Sequence, residues 1–531
     1  MPSPSSPRYR PQVFAWLGLL LAALAIAAGW WVEGRPVALP DAPSARISCV
    51  SYAPFRQAGE TPLDPHAFIS PERIDADLRV LSQRFDCVRT YSQGQGLSAV
   101  PRIAARHGMK VLMGIWLGAD PQANAEQVRL GIAAARETPQ ALRGVVVGNE
   151  VLLRGELSAT ALAGYVRQVR DAVDAPVTYA DVWEFWLRYP QMAAAVDFIT
   201  IHILPYWEDK PVAPERAVRH VAEVYARVQQ AFPGRRVMIG ETGWPSAGRP
   251  RQQAAASVVN EARYLREFLG YAATVNLPYN VIEAFDQPWK RAQEGTVGGY
   301  WGIYDAQARA KFPMQGPVVE EPRWWLGEAA AGVGALLFVL IGGWRRRWRG
   351  RVALVLAGWA SGGALAWQAR QMIYACRDAW EWSLSIIACL GALATALWLA
   401  RWIAARLDGE ARAELPMLPV RFGWLFALAF YGLLLVFDGR YRDFPLGLFA
   451  LPCAGFALAA WLGPRATVAP LPEARFLAVA LLVLAAIVVV QERGLNPASW
   501  LWLGLNLLLA APVLLRWWRV ARSRDLPAQQ A

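Results

Sequence analysis

Val237-Met238-Ile239-Gly240-Glu241-Thr242-Gly243-Trp244-Pro245-Ser246 is an apolar run that stops on a carboxylate and then meets a rigid Trp-Pro turn. Such a run, closed by Gly and Pro, predicts a buried strand with Glu241 at its end. Val145-Val146-Val147-Gly148-Asn149-Glu150 repeats the pattern upstream. Similar short apolar runs recur at regular spacing, over 47–55, 87–92, 110–117, 144–150, 177–183, 198–206, 236–242 and 280–286. Between them, 71–84, 125–135, 159–173 and 216–231 have helical periodicity. Eight strands alternating with seven or eight helices in about 275 residues fit an α/β fold, the (β/α)8 TIM barrel. A doubly wound sheet is the alternative, but no Gly-rich nucleotide loop follows the first strand.

The pattern changes near Trp324. The chain has 531 residues, 55% of them apolar, and from there onward long apolar runs alternate with short Arg-rich connectors. These segments begin near Leu326, Val352, Ser383, Phe422, Phe444, Phe476 and Pro497. Together with an apolar stretch over 13–32, flanked by Arg8 and Arg10 before and Trp30 and Trp31 after, they predict eight spans and an α-helical polytopic membrane domain. The stretch over 13–32 reads as an uncleaved anchor, because a cleaved signal has a shorter core and a small-residue cleavage site. The expected organisation is an N-tail (1–12), anchor (13–32), linker (33–44), barrel (45–320), about seven helices (324–518) and a tail (519–531).

Charge gives the orientation. The formal net charge is +12, yet only four residues are Lys (110, 210, 290 and 311), so the excess is arginine. Alternate connectors carry 17 Arg (2, 5, 4, 2 and 4) against 5 (2, 2 and 1) in the others. This bias puts both tails in the cytoplasm and the barrel outside, and accounts for the positive charge without nucleic acid. The five Cys show no metal-ligand spacing. Cys49 and Cys87 fall in the barrel, and two readings stay open: a disulfide, if the barrel is extracytoplasmic, or two small buried strand residues.

Residues at the C-terminal ends of barrel strands converge on one pocket. Glu150 ends the fourth strand and Glu241 the seventh, so two carboxylates face each other across a cleft, the minimum machinery for glycoside chemistry. Tyr52, Arg89, Tyr91, Tyr179, Asp181, His202, Tyr206, Glu283 and Asp286 stand at or near other strand ends and are expected to shape the pocket. Arg89 is expected to pair with Glu241. His202 reads as a hydrogen-bonding residue rather than a catalyst. Trp183, Trp207, Trp244, Trp289 and Trp301 offer flat faces to sugar rings.

Gly148-Asn149-Glu150 together with Glu241-Thr242-Gly243-Trp244-Pro245-Ser246 resembles glycoside hydrolase family 17, which comprises β-1,3-glucanases and related glucanosyltransferases. Phe285-Asp286, Lys290 and Trp301-Gly302-Ile303-Tyr304 are similar to the family's acidic-and-lysine segment and its closing Gly-rich turn. The resemblance implies Glu241 as nucleophile, Glu150 as general acid/base, and retention of configuration, with carboxyl groups about 5–5.5 Å apart. It also implies Asn149 on the sugar 2-OH and Lys290 at the substrate. Glu150 should then have a raised pKa, because it must carry a proton beside a negative charge.

Ile201-His202-Ile203-Leu204-Pro205-Tyr206 departs from the Asn-x-Tyr-Pro of plant-type members, and Gln287 stands where an acidic residue is common. With the membrane segments, this resembles bacterial members tethered to the inner membrane with a periplasmic catalytic domain. The reaction expected is transfer of a glucosyl or glucanosyl unit from β-1,3-glucan to an acceptor sugar. Hydrolysis is the alternative, and a glucan-binding module on a membrane transporter or sensor is the reading from another class. The implied partners are β-glucan or gluco-oligosaccharides, the lipid bilayer and glucan synthesis or export machinery. No cofactor is expected, since two-carboxylate chemistry needs neither metal nor nucleotide.

Overall fold

The structure, a computed structural model, describes residues 9–410, 418–463 and 469–525. The expected positive connectors at Arg8, Arg412 and Arg465, and the outermost parts of both tails, lie outside the described residues. The chain divides into two compact units, one of residues 36–248 and 253–318, the other of residues 1–35, 249–252 and 319–531.

The first unit is a curled parallel sheet. Its strands are β1 (Val50–Ser51), β2 (Cys87–Arg89), β3 (Lys110–Ile115), β4 (Leu142–Asn149), β5 (Val177–Val182), β6 (Ile199–His202) and β7 (Val237–Glu241), and their spatial order is their chain order. The expected strand over 280–286 stands where an eighth belongs, but makes isolated bridges instead of a ladder. Val281 N–H donates to Cys49 O, and Ser51 N–H donates to Val281 O, both at 2.9 Å. On the other side Asn280 N–H donates to Ile239 O at 2.8 Å. The segment therefore joins the first and seventh strands and closes the curl. It is irregular because Glu283 and Asp286 spend their backbone N–H groups on Trp301 O and Tyr304 O, at 3.0 and 2.9 Å.

Along each strand, successive side chains point to opposite faces. Cys49, Cys87, Leu112, Val146, Ala180, Phe198 and Met238 form one buried cluster drawn from around the curl. Their neighbours, such as Val145 and Val147, join the larger core with the surrounding helices. Cys49 and Cys87 are bridged by a disulfide, which resolves the two sequence readings in favour of the bridge. The Cys49→Ala, Cys87→Ala double variant is expected to lose about 2–4 kcal/mol of barrel stability. Thermal unfolding of the purified chain checks this, and an unchanged midpoint would mean the bridge does not form.

The helices α1 (Tyr9–Glu33), α2 (Pro71–Leu81), α3 (Val100–Arg106), α4 (Pro121–Glu137), α5 (Val151–Arg154), α6 (Ala159–Arg170), α7 (Trp183–Arg188), α8 (Pro214–Ala231), α9 (Val258–Thr274) and α10 (Arg291–Gly298) precede the second apolar half. Caps fix several starts. Ser70, Asp120, Ser158 and Ser257 each accept from a backbone N–H in the first turn of α2, α4, α6 and α9. Asp120 followed by Pro121 is why α4 begins four residues before the expected 125.

The second unit contains α1 and then α11 (Trp325–Gly343), α12 (Trp348–Ala375), α13 (Ala379–Leu407), α14 (Leu418–Phe437), α15 (Leu446–Leu462), α16 (Pro472–Gln491) and α17 (Pro497–Asp525). Seven of these eight are long and apolar enough to cross a membrane. The eighth, α15, has 17 residues, about 25 Å of helix, just short of a hydrocarbon core. The glycines at 362–363 support packing. A Cβ on Gly362 would lie 2.2 Å from Ala330 O, so only glycine lets α12 approach α11 there. Arg370 of α12 pairs with Glu33, Glu320 and Glu321, at 2.6, 3.7 and 3.3 Å.

Candidate active site

β4 delivers Glu150. The strand breaks its register after Val146, and Glu150 adopts a left-handed conformation, φ 54° and ψ 30°. This is uncommon for a residue with a side chain and costs on the order of 1 kcal/mol. The turn that follows is held from β5. Leu152 N–H donates to Tyr179 OH at 3.0 Å, and Leu153 N–H donates to Asp181 Oδ2 at 3.3 Å. Tyr179 OH donates to the same Asp181 oxygen, and Val182 N–H donates to the other at 2.8 Å. Both side chains are buried, so they support the Glu150 turn from behind and do not open onto a ligand.

β7 delivers Glu241, 5% exposed. Its Oε1 accepts from Arg89 Nη1 at 3.1 Å and from Tyr91 OH at 2.8 Å. The expected Arg89–Glu241 pair is thus present. Arg89 Nη2 donates to Asn149 Oδ1 at 2.5 Å, which leaves the Asn149 amide N–H groups for a ligand. Gly243 of the Glu-Thr-Gly-Trp turn is required by crowding, because a Cβ there would lie 2.3 Å from Ile282 O.

His202, at the end of β6, sits between the two carboxylates. Its Nδ1 is 2.8 Å from Glu150 Oε1, and its Nε2 is 3.3 Å from Arg89 Nη1 and 3.7 Å from Glu241 Oε1. A guanidinium only donates, so Nε2 accepts from Arg89 and Nδ1–H donates to Glu150. Burial raises the Glu150 pKa. The His202 hydrogen bond, with the charges of Arg154 and Arg89, outweighs it and holds the carboxyl below the usual glutamate range. This corrects the expected raised pKa, since the sequence does not reveal that a donor would face Glu150.

Glu150, His202 and Glu241 present ligand atoms within 4.8 Å of one another, spacing that a metal ion could bridge. The donor set does not fit one. Arg89 already places a buried cation against both Glu241 and His202, and it occupies the Nε2 lone pair that a metal would need.

Behind the pair lies a second ionic layer. Lys290 Nζ donates to both oxygens of Glu283 at 2.9 Å. Lys311 Nζ lies 3.0 Å from Asp286 Oδ1 and 3.0 Å from Glu261 Oε2. Burial pushes Glu283 up to about 7 against the pull of Lys290, and Asp286 up to about 6 against that of Lys311. Burial likewise pushes Asp181 up to about 6, against the hydrogen bond from Tyr179 and with help from the Glu150 charge.

These shifts set the sign of a stability effect. The folded state binds protons more tightly than the unfolded chain, whose Asp groups titrate near about 4. Stability is therefore expected to fall as pH rises from about 4 to about 6, by up to about 3 kcal/mol for each of Asp181 and Asp286. Thermal midpoints at about pH 5 and about pH 7 test this, and a midpoint that climbs over that interval would contradict it.

Of the other expected residues, Tyr52, Tyr206 and Trp244 are each no more than 1% exposed. Tyr52 OH donates to Asp77 Oδ2 at 3.0 Å, and Trp244 Nε1 donates to Ala255 O at 3.0 Å. Tyr206 packs edge-on to Trp244 and Trp301, with centroids 5.7 and 5.9 Å apart. These rings form the wall behind the site. Trp183 is also buried, whereas Tyr91, Asn149, Glu150, Trp207, Trp289 and Lys290 stay partly open. Two residues escaped the sequence reading. Trp116, after β3, is 39% exposed, with Arg154 stacked 4.4 Å from its ring centroid. Glu294 in α10 lies within electrostatic reach of Lys290, Glu150 and Glu241, and burial raises its pKa. Its spacing of four from Lys290 was the one available sign.

Residues 49–302 match the family model of the BtgE/BtgC glycoside hydrolase domain. This segment is similar to a glycoside hydrolase domain. The match ends before α11 and does not reach the apolar helices from there onward. The chain is similar to a glucan 1,3-beta-glucosidase of Schizosaccharomyces pombe, 27% identical over 255 residues, covering 45% of this chain and 79% of the relative. A glucan 1,3-beta-glucosidase of Arthroderma benhamiae is 25% identical over 258 residues, covering 45% of this chain and 83% of that one. Among solved structures, the glycoside hydrolase family 17 β-1,3-glucanosyltransferase from Rhizomucor miehei is 26% identical, with a TM-score of 0.43, and covers 52% of this chain and 98% of that chain.

Proposed function

We propose that the chain is a retaining, membrane-anchored enzyme that cleaves β-1,3-glucan and transfers the glucosyl or glucanosyl unit to an acceptor sugar. The observation that carries the reading is the close pairing of Glu150 and Glu241, whose carboxylate oxygens lie within 4.8 Å. Inverting enzymes need about 6.5–9.5 Å between carboxyls to admit a water, and retaining enzymes about 5–5.5 Å. The β-1,3-glucan substrate is supported by the relatives' activities.

In this reading Glu241 attacks the anomeric carbon and forms a glycosyl ester. The glycosidic C–O bond breaks, and Glu150 gives its proton to the leaving oxygen. An acceptor hydroxyl then attacks the same carbon, Glu150 takes the hydroxyl proton, and Glu241 leaves as carboxylate. Arg89 and Tyr91 hold the Glu241 carboxylate oriented. Asn149 offers its free amide to the sugar 2-OH, and Lys290 lines the substrate side. Transfer over hydrolysis is supported by the burial of Glu241, which restricts water at the ester. Hydrolysis is the second reading, favoured by the glucosidase activity named for the relatives.

The eight apolar helices are read as an inner-membrane anchor of a bacterial cell with both tails in the cytoplasm, supported by the arginine bias. The Cys49–Cys87 bridge supports an oxidising compartment for the barrel, the periplasm.

The test incubates the full chain, solubilised in detergent, with end-labelled β-1,3-gluco-oligosaccharides, followed by mass and linkage analysis. Products longer than the donor support transfer, shorter products alone would demote it to a hydrolase, and no product would sink the enzyme reading. His202 gives an independent check. His202→Phe removes the donor that holds Glu150 low, so the basic limb of kcat/KM is expected to move to higher pH. An unmoved limb would detach His202 from the acid/base group.

A further inference from the structure

The second unit brings three arginines together at one end of its helices. Arg421 lies in the first turn of α14, Arg475 in the first turn of α16 and Arg516 towards the end of α17. Arg421 Nη2 donates to Leu509 O at 3.2 Å, and Arg421 is close enough to Arg516 for their charges to interact. The Arg475 guanidinium stands 5.5 Å from the ring centroid of Trp517, the residue after Arg516. The three arginines therefore share one end of three neighbouring helices. The buried Nε atoms of Arg421 and Arg475 have no hydrogen-bond partner among the described residues.

Beside them runs a shallow apolar groove between α14 and α16, lined by Phe422, Phe426, Pro472, Glu473, Phe476 and Leu477. Phe426 is 59% exposed and Phe476 72% exposed. Glu473 is the acidic residue in the groove, set against the arginine cluster.

We propose that this end of α14, α16 and α17 is a binding site for an anionic phospholipid, with its phosphate on Arg421 and Arg475 and an acyl chain along Phe422, Phe426 and Phe476. Guanidinium groups left short of acceptors at a helix end match a phosphate, which takes several charge-assisted hydrogen bonds at once. Basic pockets between helices on the cytoplasmic side are the usual place for anionic headgroups. A neutral zwitterionic lipid fills the groove equally well but gains nothing from the net charge. The inference rests on these helices spanning a bilayer and is independent of the glycoside chemistry.

The experiment is native mass spectrometry of the full chain, purified in detergent, stripped of lipid and offered phosphatidylglycerol or phosphatidylcholine with identical acyl chains. Phosphatidylglycerol is expected to stay bound under conditions that remove phosphatidylcholine. The Arg421→Gln, Arg475→Gln double variant is expected to lose about 10- to 30-fold of that retention. Equal retention of the two lipids, or an unchanged preference in the double variant, would overturn the proposal. Should the double variant fail to fold, Glu473→Gln decides: added retention of phosphatidylglycerol supports the site, and no change overturns it. A chain that stays in solution without detergent would instead remove the membrane reading on which the site depends.

Discussion

Glu241→Ala is expected to lower kcat/KM on β-1,3-gluco-oligosaccharides by on the order of 10⁴-fold or more, the scale seen when a covalent nucleophile is removed. The loss should be chemical, since the variant removes the attacking carboxylate that Arg89 and Tyr91 hold at the end of a buried strand. Added azide gives a sharper reading. It can enter the space vacated by the carboxylate, attack the anomeric carbon from that face and expel the leaving group, so an α-glucosyl azide is the expected product. Its identification by NMR would assign Glu241 as nucleophile. Full activity, or a β-configured azide, would remove that role.

Glu150→Ala should behave differently. Loss of a general acid/base costs about 10²–10⁴-fold on natural oligosaccharides. An aryl oligoglucoside with a good leaving group should largely escape the first-step penalty, because its departure needs no proton. The glycosyl ester then accumulates, and azide attacks it from the opposite face, giving a β-glucosyl azide. The two variants are thus expected to yield opposite anomers from one substrate. The same anomer from both would contradict the division of labour between Glu150 and Glu241.

The sequence disclosed the parts of the site that obey local rules. An apolar run that ends in Glu places a carboxylate at a strand end, and two such runs at the fourth and seventh positions of a barrel place them together. Arg89 was legible for the same reason. Its partners in space were not. His202 lies between Glu150 and Glu241 because β6 stands beside β7, which carries Glu241, and one strand away from β4, which carries Glu150, and the direction of its hydrogen bond, which reverses the expected Glu150 shift, depends on Arg89 facing Nε2. Trp244 looked like a sugar platform by residue type, but its ring packs beside Tyr206 and its indole N–H is used on Ala255 O. Burial of a large aromatic is a tertiary fact that periodicity in a five-residue strand cannot register. The eighth strand was found by its apolar content and lost its ladder to the 301–304 turn, a contact no local pattern announces. In the apolar half, helix number followed from hydropathy, while α15 fell at the length where a core helix and a span look alike.

The bridge between Cys49 and Cys87 spans only 38 residues of sequence and lies at the very start of the barrel. On the proposed topology the barrel is translocated amino end first. The covalent link can therefore close as soon as the first two strands have emerged, long before Glu150 and Glu241 leave the translocation channel. Cys49 also supplies the carbonyl that receives the N–H of Val281, more than two hundred residues later. The earliest cross-linked piece of the chain is then the template against which the last piece docks. Biogenesis becomes vectorial: oxidation fixes one lip of the seam, and the arrival of residues 280–286 shuts it.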